Sequence, residues 1–370
     1  MIAAGRRPTA PERIQIAAAT APRRGFQSER LLVIDPLTRR FGDYRIGELP
    51  KLFGRGDVLV VNDAATLPAS LKVDPELELR LVSADADGTF RAVTFGTGDF
   101  RMPTEARGTP RPLREGERLQ FSPELAARVL HIDPVDGRLV QLRFETSGAS
   151  FFSALYRHAR PIQYSYSSKL FELWDVQNRY ASRPWAFELP SAGRPLRFET
   201  LFEIERRGAE LTYVTHAASI SSTGSEVLDA RLPLPERYDI SDSAARTLTR
   251  ARRNGGRIIA AGTSVVRALE GHADKSGVVV AGSGETPLRL SRSYQPRVVD
   301  GLLTGLHEPG TSHFELLEAF APKQLLLRAV DHAARTGYLQ HEFGDSCLVL
   351  AGALSAHSAV TVRAQPARRA

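Results

Sequence analysis

The chain has 370 residues, 42% of them hydrophobic, enough for one large or two ordinary domains with real cores. Its single cysteine, Cys347, excludes an internal disulfide framework and a cysteine zinc site, and it reads as a buried core residue within the apolar run 347–351. The net charge of +7 resides in the tails: Arg6, Arg7, Arg13, Arg23 and Arg24 face only Glu12 over residues 1–24, and Arg363, Arg368 and Arg369 stand alone over 351–370. The body is therefore close to neutral, and the basic pI is weak evidence for a nucleic-acid groove. No stretch approaches the length of a membrane span. The Ala-, Arg- and Pro-rich N-terminus has the composition of an organellar transit peptide. Because Ala and Arg are frequent along the whole chain, residues 1–28 are read instead as a loose extension on a cytoplasmic protein.

In chain order, Leu31–Asp35 reads as a strand ended by Pro36, and Arg45–Leu52 as a short helix. Asp57–Val61 is a second apolar strand with Asn62-Asp63 as its polar exit, the kind of place where open α/β sheets keep ligands, or else a simple turn. From about Pro68 to Gly148 the pattern changes to short alternating runs such as 77–82, 90–93 and 139–144, with Gly88, Gly96, Gly98, Gly108, Gly116 and Gly137 between them. That is the signature of antiparallel strands in a small barrel or sandwich. Helical spacing returns over 150–158. The aromatic segment from Tyr164 through Trp174, Tyr180 and Trp185 is read as packing in preference to a base-stacking surface.

Leu211–Thr215 is a further strand, leading into His216, and Asp242–Arg253 a capped helix. Its Arg246, Arg250 and Arg253 stripe suits either phosphate or a solvated face. The run Ile258–Ala261, followed by Gly262-Thr-Ser and by Val265, Val266 and Leu269, reads as buried strand, tight turn and helix. Thr263 or Ser264 is expected to cap that helix, whose free N–H groups suit an anion or polar ligand. Arg267 and Glu270 share one side of it. Apolar runs follow at 278–281, 288–290 and 298–300, then Gly305–Thr311, then helices over 314–319 and 322–336. His307, Glu308 and His313 do not form a zinc-protease motif: the spacing is six and Pro309 interrupts. No metal site is expected.

These motifs, in order, resemble the S-adenosylmethionine:tRNA ribosyltransferase-isomerases of queuosine biosynthesis over about 30–351. The matching segments are 57–62 with 68–71, Pro190–Gly193, 262–270, 298–307 with Pro309, and Phe343–Asp345. The resemblance implies a discontinuous α/β main domain, 29–67 and 149–355, with a small antiparallel β-barrel inserted at 68–148 and a tail at 356–370. It implies S-adenosylmethionine as a small-molecule ribosyl donor and tRNA, at the anticodon loop, as partner. The product is epoxyqueuosine, formed on a 7-aminomethyl-7-deazaguanine with release of adenine and methionine. His307, Asp300 and His216 are then the candidate catalytic residues. Asn62, Gly262, Thr263, Ser264 and Arg267 are the candidates for binding donor or substrate. Three departures reshape the pattern: Asn62-Asp-Ala-Ala65 lacks the family's arginine, Gly193-Arg-Pro-Leu-Arg-Phe198 has two extra residues and Arg197 for a histidine, and His216–Ser222 lacks a glycine-rich run. They leave open a paralogue with the same donor and another acceptor, or an RNA-binding module without catalysis.

Overall fold

A computed structural model describes residues 15–22, 29–85 and 87–354. Among these, a nine-stranded mixed sheet forms the body. Its order is Gly282–Thr286, Glu236–Ile240, Glu210–His216, Val58–Asn62, Ile258–Ala261, Gly301–Gly305, Ser346–Leu350, Arg30–Asp35 and Arg40–Arg45. The four central strands, from Glu210–His216 to Gly301–Gly305, run parallel. Their ends at His216, Asn62, Ala261 and Gly305 therefore meet along one edge.

The innermost runs, 58–61 and Ile258–Ala261, are apolar throughout because both faces are covered. Val58, Val60, Ile258, Ala260 and Leu302 point to one side, where Leu248, Val265, Leu269, Phe314 and Leu325 pack from helices. Leu59, Val61, Ile259, Ala261 and Leu303 point to the other, against Ile46, Leu49, Leu201 and Ile204. The Ile46–Leu52 segment is a 3-10 helix containing Pro50, which removes a backbone donor and disfavours a longer α-helix.

The alternating region forms a nearly closed six-stranded antiparallel barrel, ordered Ser70–Asp74, Leu77–Ala84, Phe90–Phe95, Leu139–Phe144, Leu125–Ile132 and Arg118–Ser122. Its interior is filled by residues such as Leu79, Leu81, Val93, Val129 and Leu142, and Phe151 and Leu155 of the Gly148–His158 helix join the same cluster. The whole is an α/β sheet structure with an inserted β-barrel.

Three expectations change. Within the stretch expected to be loose, Ala17–Ala18 pairs in parallel with Leu339–Gln340 and Ile16 is buried, so 15–22 is docked on the body. The remainder of 1–28 and the tail 356–370 lie outside the described residues. The apolar runs 278–281 and 298–300 are not strands; the strands begin just after them, at Gly282 and Gly301. The helix cap after Ala261 is Gly262 itself, with no side-chain bond from Thr263 or Ser264. Cys347 is buried as expected, and burial pushes its thiol up to about 12. Among the described residues, no helix is long and apolar enough to cross a membrane.

Candidate active site

A cavity of about 360 Å³ opens at the edge where the parallel strands end. Its floor is the strand-to-helix turn at Gly262, Thr263 and Ser264, with Arg267 one turn further along the helix. Gly262 takes φ +105, a backbone region closed to most side chains, and its N–H is tied to the Leu303 carbonyl at 2.8 Å. The Thr263–His272 helix thus starts without a side-chain cap, and its first residues, Thr263 and Ser264, line the cavity. Thr304 and His307 come from the end of the next strand, His313 from the short helix beyond it, and Glu188 to Ala192 from the loop carrying the Pro190–Gly193 motif.

His307 opens on the cavity but is enclosed on its other sides. Its Nε2 lies 2.8 Å from the Thr304 Oγ1, and its ring stacks on His313 with centroids 5.0 Å apart. Burial, then the neighbouring His313 and His341, hold its pKa well below the ordinary 6.5. The imidazole is therefore neutral at physiological pH. That suits a hydrogen-bond partner or proton acceptor and argues against a stored acid.

Arg267 lines the cavity, yet its guanidinium is already engaged. It donates to the carbonyls of Leu288 at 2.9 Å and of Thr286 and Leu234 at 3.3 Å, and it pairs with Glu236. Its work is to fasten the helix to the 286–288 and 234–236 segments.

Three sequence candidates lie outside the cavity lining. Asn62 is buried behind it: Oδ1 accepts from the N–H groups of Ala64 and His216, while Nδ2 donates to the His216 carbonyl at 2.9 Å and reaches Ser264 Oγ at 3.3 Å. It holds the turn that the cavity uses. His216 is fully buried, neither ring nitrogen has a hydrogen-bond partner, and burial lowers its pKa far below the usual value. Its Nε2 is 3.3 Å from Glu236 Oε2 without hydrogen-bond geometry, so the neutral ring is a packing element. Asp300 sits at the opposite edge of the sheet, before the Gly301–Gly305 strand, roughly 15 Å of strand away from His307. It accepts from the Ile258 N–H at 2.8 Å and pairs with Arg252, so the structure does not bring it to the cavity.

Residues that sequence reasoning missed include Glu188, Glu236 and His313, all lining the cavity. Glu188 adjoins a motif already singled out, and His313 was weighed only as a metal ligand. With Asp229 and Glu315, four carboxylates line the cavity against the two guanidinium groups of Arg267 and Arg289, which gives the lining an acidic excess. Among the described residues, no group of three His, Cys, Asp or Glu side chains is placed to hold a metal.

The model of the family described as queuosine biosynthesis protein matches residues 11–349. The chain belongs to that family. Relatives named S-adenosylmethionine:tRNA ribosyltransferase-isomerase include one from Methylocella silvestris, 33% identical, covering 90% of this chain and 93% of its own. Another, from Gloeobacter violaceus, is 32% identical over 93% of this chain and 94% of its own. A solved structure of an S-adenosylmethionine tRNA ribosyltransferase from Thermotoga maritima shares 22% identity, covers 90% of this chain and 96% of that one, and superposes with a TM-score of 0.49.

Proposed function

We propose that this chain is an S-adenosylmethionine:tRNA ribosyltransferase-isomerase of queuosine biosynthesis, working in the cytoplasm. It transfers and isomerises the ribosyl unit of S-adenosylmethionine onto a 7-aminomethyl-7-deazaguanine in the anticodon loop of tRNA, giving epoxyqueuosine, adenine and methionine. The observation that carries this reading is a juxtaposition in the fold, which supports what the chain-long family match suggests. The 262–270 and 298–307 segments, far apart in sequence, form adjoining walls of one cavity at the ends of parallel strands.

The residues divide the work. The first-turn N–H groups and the hydroxyls of Thr263 and Ser264 bind polar parts of the donor. The acidic excess of the lining favours the donor's sulfonium. That positive charge acidifies the adjacent carbon, and neutral His307 is suited to accept a proton or to hydrogen-bond the departing base. Asn62 and Arg267 position the turn and helix that carry these groups.

The test is incubation with S-adenosylmethionine and tRNA carrying the aminomethyl-deazaguanine, followed by nucleoside mass spectrometry. Epoxyqueuosine with equimolar adenine is expected. Adenine release with unmodified tRNA would reassign the acceptor, and binding of tRNA without adenine release would leave a non-catalytic module.

A further inference from the structure

Glu188 stands between two cavities. It lines the large one and also a smaller enclosed one of about 30 Å³, shared with Tyr164, Tyr166 and Glu342. Neutral groups fix its carboxylate: Oε1 accepts from the Tyr164 hydroxyl and from the Ser221 N–H at 3.0 Å, and Oε2 accepts from Ser221 Oγ at 2.5 Å. The Tyr164 hydroxyl is held in turn by the Ser222 N–H at 3.3 Å. Arg80, the cation whose field reaches Glu188, is bonded to Glu78 at 2.8 Å. Among the described residues Glu188 has hydrogen-bond donors but no ion-pair partner. A half-buried carboxylate oriented by three donors, without a counter-ion and open to a ligand cavity, is arranged to receive a cation.

We propose that Glu188 is the catalytic residue that holds the acceptor's primary ammonium group in the cavity and takes a proton from it. This rests on the ribosyl-transfer reading above. An ammonium has no lone pair and cannot attack carbon. When one N–H bond breaks, its electron pair stays on nitrogen and the proton adds to a Glu188 carboxylate oxygen. The products are a neutral amine, now a nucleophile, and a neutral carboxylic acid, so two opposite charges disappear together inside a poorly solvated site.

The surroundings favour that exchange. Burial raises the Glu188 pKa above the usual carboxylate value. Glu342, facing the smaller cavity, is pushed up to about 7 by burial and by the Glu188 charge. The neutral form of Glu342 is therefore accessible near physiological pH, and burial moves Glu188 in the same direction. Tyr164 and Tyr166 stay protonated through burial. Across the larger cavity the other charged or titratable groups are Asp229, Glu236, Arg267, Arg289, His307, His313 and Glu315. Of these, His307 and His313 are held neutral by burial, and Arg267 and Glu236 neutralise each other.

The experiment compares wild type, Glu188→Gln and Glu188→Asp in single-turnover reactions with saturating S-adenosylmethionine and the amine-bearing tRNA, from pH 7 to pH 9. Donor affinity is measured by calorimetry. Glu188→Gln is expected to be slower by roughly 10²–10⁴-fold at pH 7. It should recover about tenfold per pH unit as free amine accumulates, with donor affinity within about threefold of wild type. Glu188→Asp keeps the carboxylate and should be slower but retain the wild-type pH profile, which separates base function from folding. A Glu188→Gln enzyme as fast as wild type at pH 7, or a deficit constant from pH 7 to pH 9, overturns the assignment while leaving the ribosyl-transfer reading intact. Equal losses of donor affinity in both variants also overturn it. A wild type that neither releases adenine nor modifies this tRNA removes both.

Discussion

Thr304 and His307 are hydrogen-bonded through Oγ1 and Nε2 at 2.8 Å, across the turn that leaves the Gly301–Gly305 strand. The bond aims the imidazole into the cavity, and burial keeps it neutral. His307→Ala should lower turnover by about 10²-fold, the lower end for acid–base groups, because a base of depressed pKa is weak. The ratio of wild-type to variant rates should stay flat between pH 6 and pH 8, since no imidazolium forms in that window. A wild-type rate limb near the ordinary histidine pKa that disappears in the variant would show instead that His307 works as a cationic acid.

Buried neutral histidines also set the pH dependence of stability. His216 is fully buried with its pKa far below 6.5, so the unfolded chain binds a proton there that the folded chain refuses. The sign follows: the contribution is intact above the unfolded pKa and is lost as pH falls below it. His307, His313 and His341 act in the same direction, whereas Glu188 and Glu342, raised in the fold, act oppositely. Subtracting a His216→Phe variant isolates one group. Urea melts at pH 7 and pH 5.5 should show the variant losing up to ~1.4 kcal/mol less than wild type. Equal losses would mean that His216 takes up its proton in the fold as readily as in the unfolded chain.

What the sequence revealed and what it hid have physical causes. A strand buried on both faces must be apolar at every position, so Ile258–Ala261 announces itself locally, as does the barrel's alternation. Gly262 marks the turn because few other residues tolerate its backbone angles. The direction of a strand is not written locally. Asp300 looks like a strand exit, but the strand starts after it, and the exit that reaches the cavity is Thr304–His307. Nor does the sequence say which polar groups are already spent. Arg267 is consumed by three carbonyls and Glu236, each brought from a distant segment. Glu188 acquires its character from Tyr164 and Ser221, contacts made only when the chain folds.

For Asp300 the expectation is a small structural effect. Asp300→Ala removes an acceptor from the Ile258 N–H and one partially exposed ion pair with Arg252. About 1 kcal/mol of stability should be lost, in keeping with a single hydrogen bond. Turnover and donor affinity should be unchanged, because the residue is at the far edge of the sheet. A hundredfold loss of turnover in a stably folded variant would restore it to the catalytic set.

Arg267 gives the opposite pattern. Arg267 is 5% exposed and Glu236 6%, so removing one leaves the other a buried charge without its partner. Arg267→Met should cost about 3–5 kcal/mol, and Arg267→Met with Glu236→Gln should cost less than the single change. Denaturant melts of the four forms measure the coupling. If Arg267→Met is nearly as stable as wild type but fails to bind S-adenosylmethionine in calorimetry, the guanidinium holds the donor directly.

Gly262 concentrates fold and site at one atom. Its φ of +105 lies where a Cβ is strained, and an added Cβ would stand 3.4 Å from Ala192 Cβ and 3.5 Å from Ser264 Oγ. The nearby space is ordinary contact, so the penalty of Gly262→Ala comes mainly from the backbone, about 1–3 kcal/mol. The chain can relieve that strain by rotating the turn, which would swing the first N–H groups of the Thr263–His272 helix away from the cavity. Donor affinity should therefore fall together with stability. Ala192→Gly, which removes the nearest side-chain atom, should restore little of either. Full recovery in the Gly262→Ala, Ala192→Gly pair would show that close packing, not the backbone angle, is what requires glycine here.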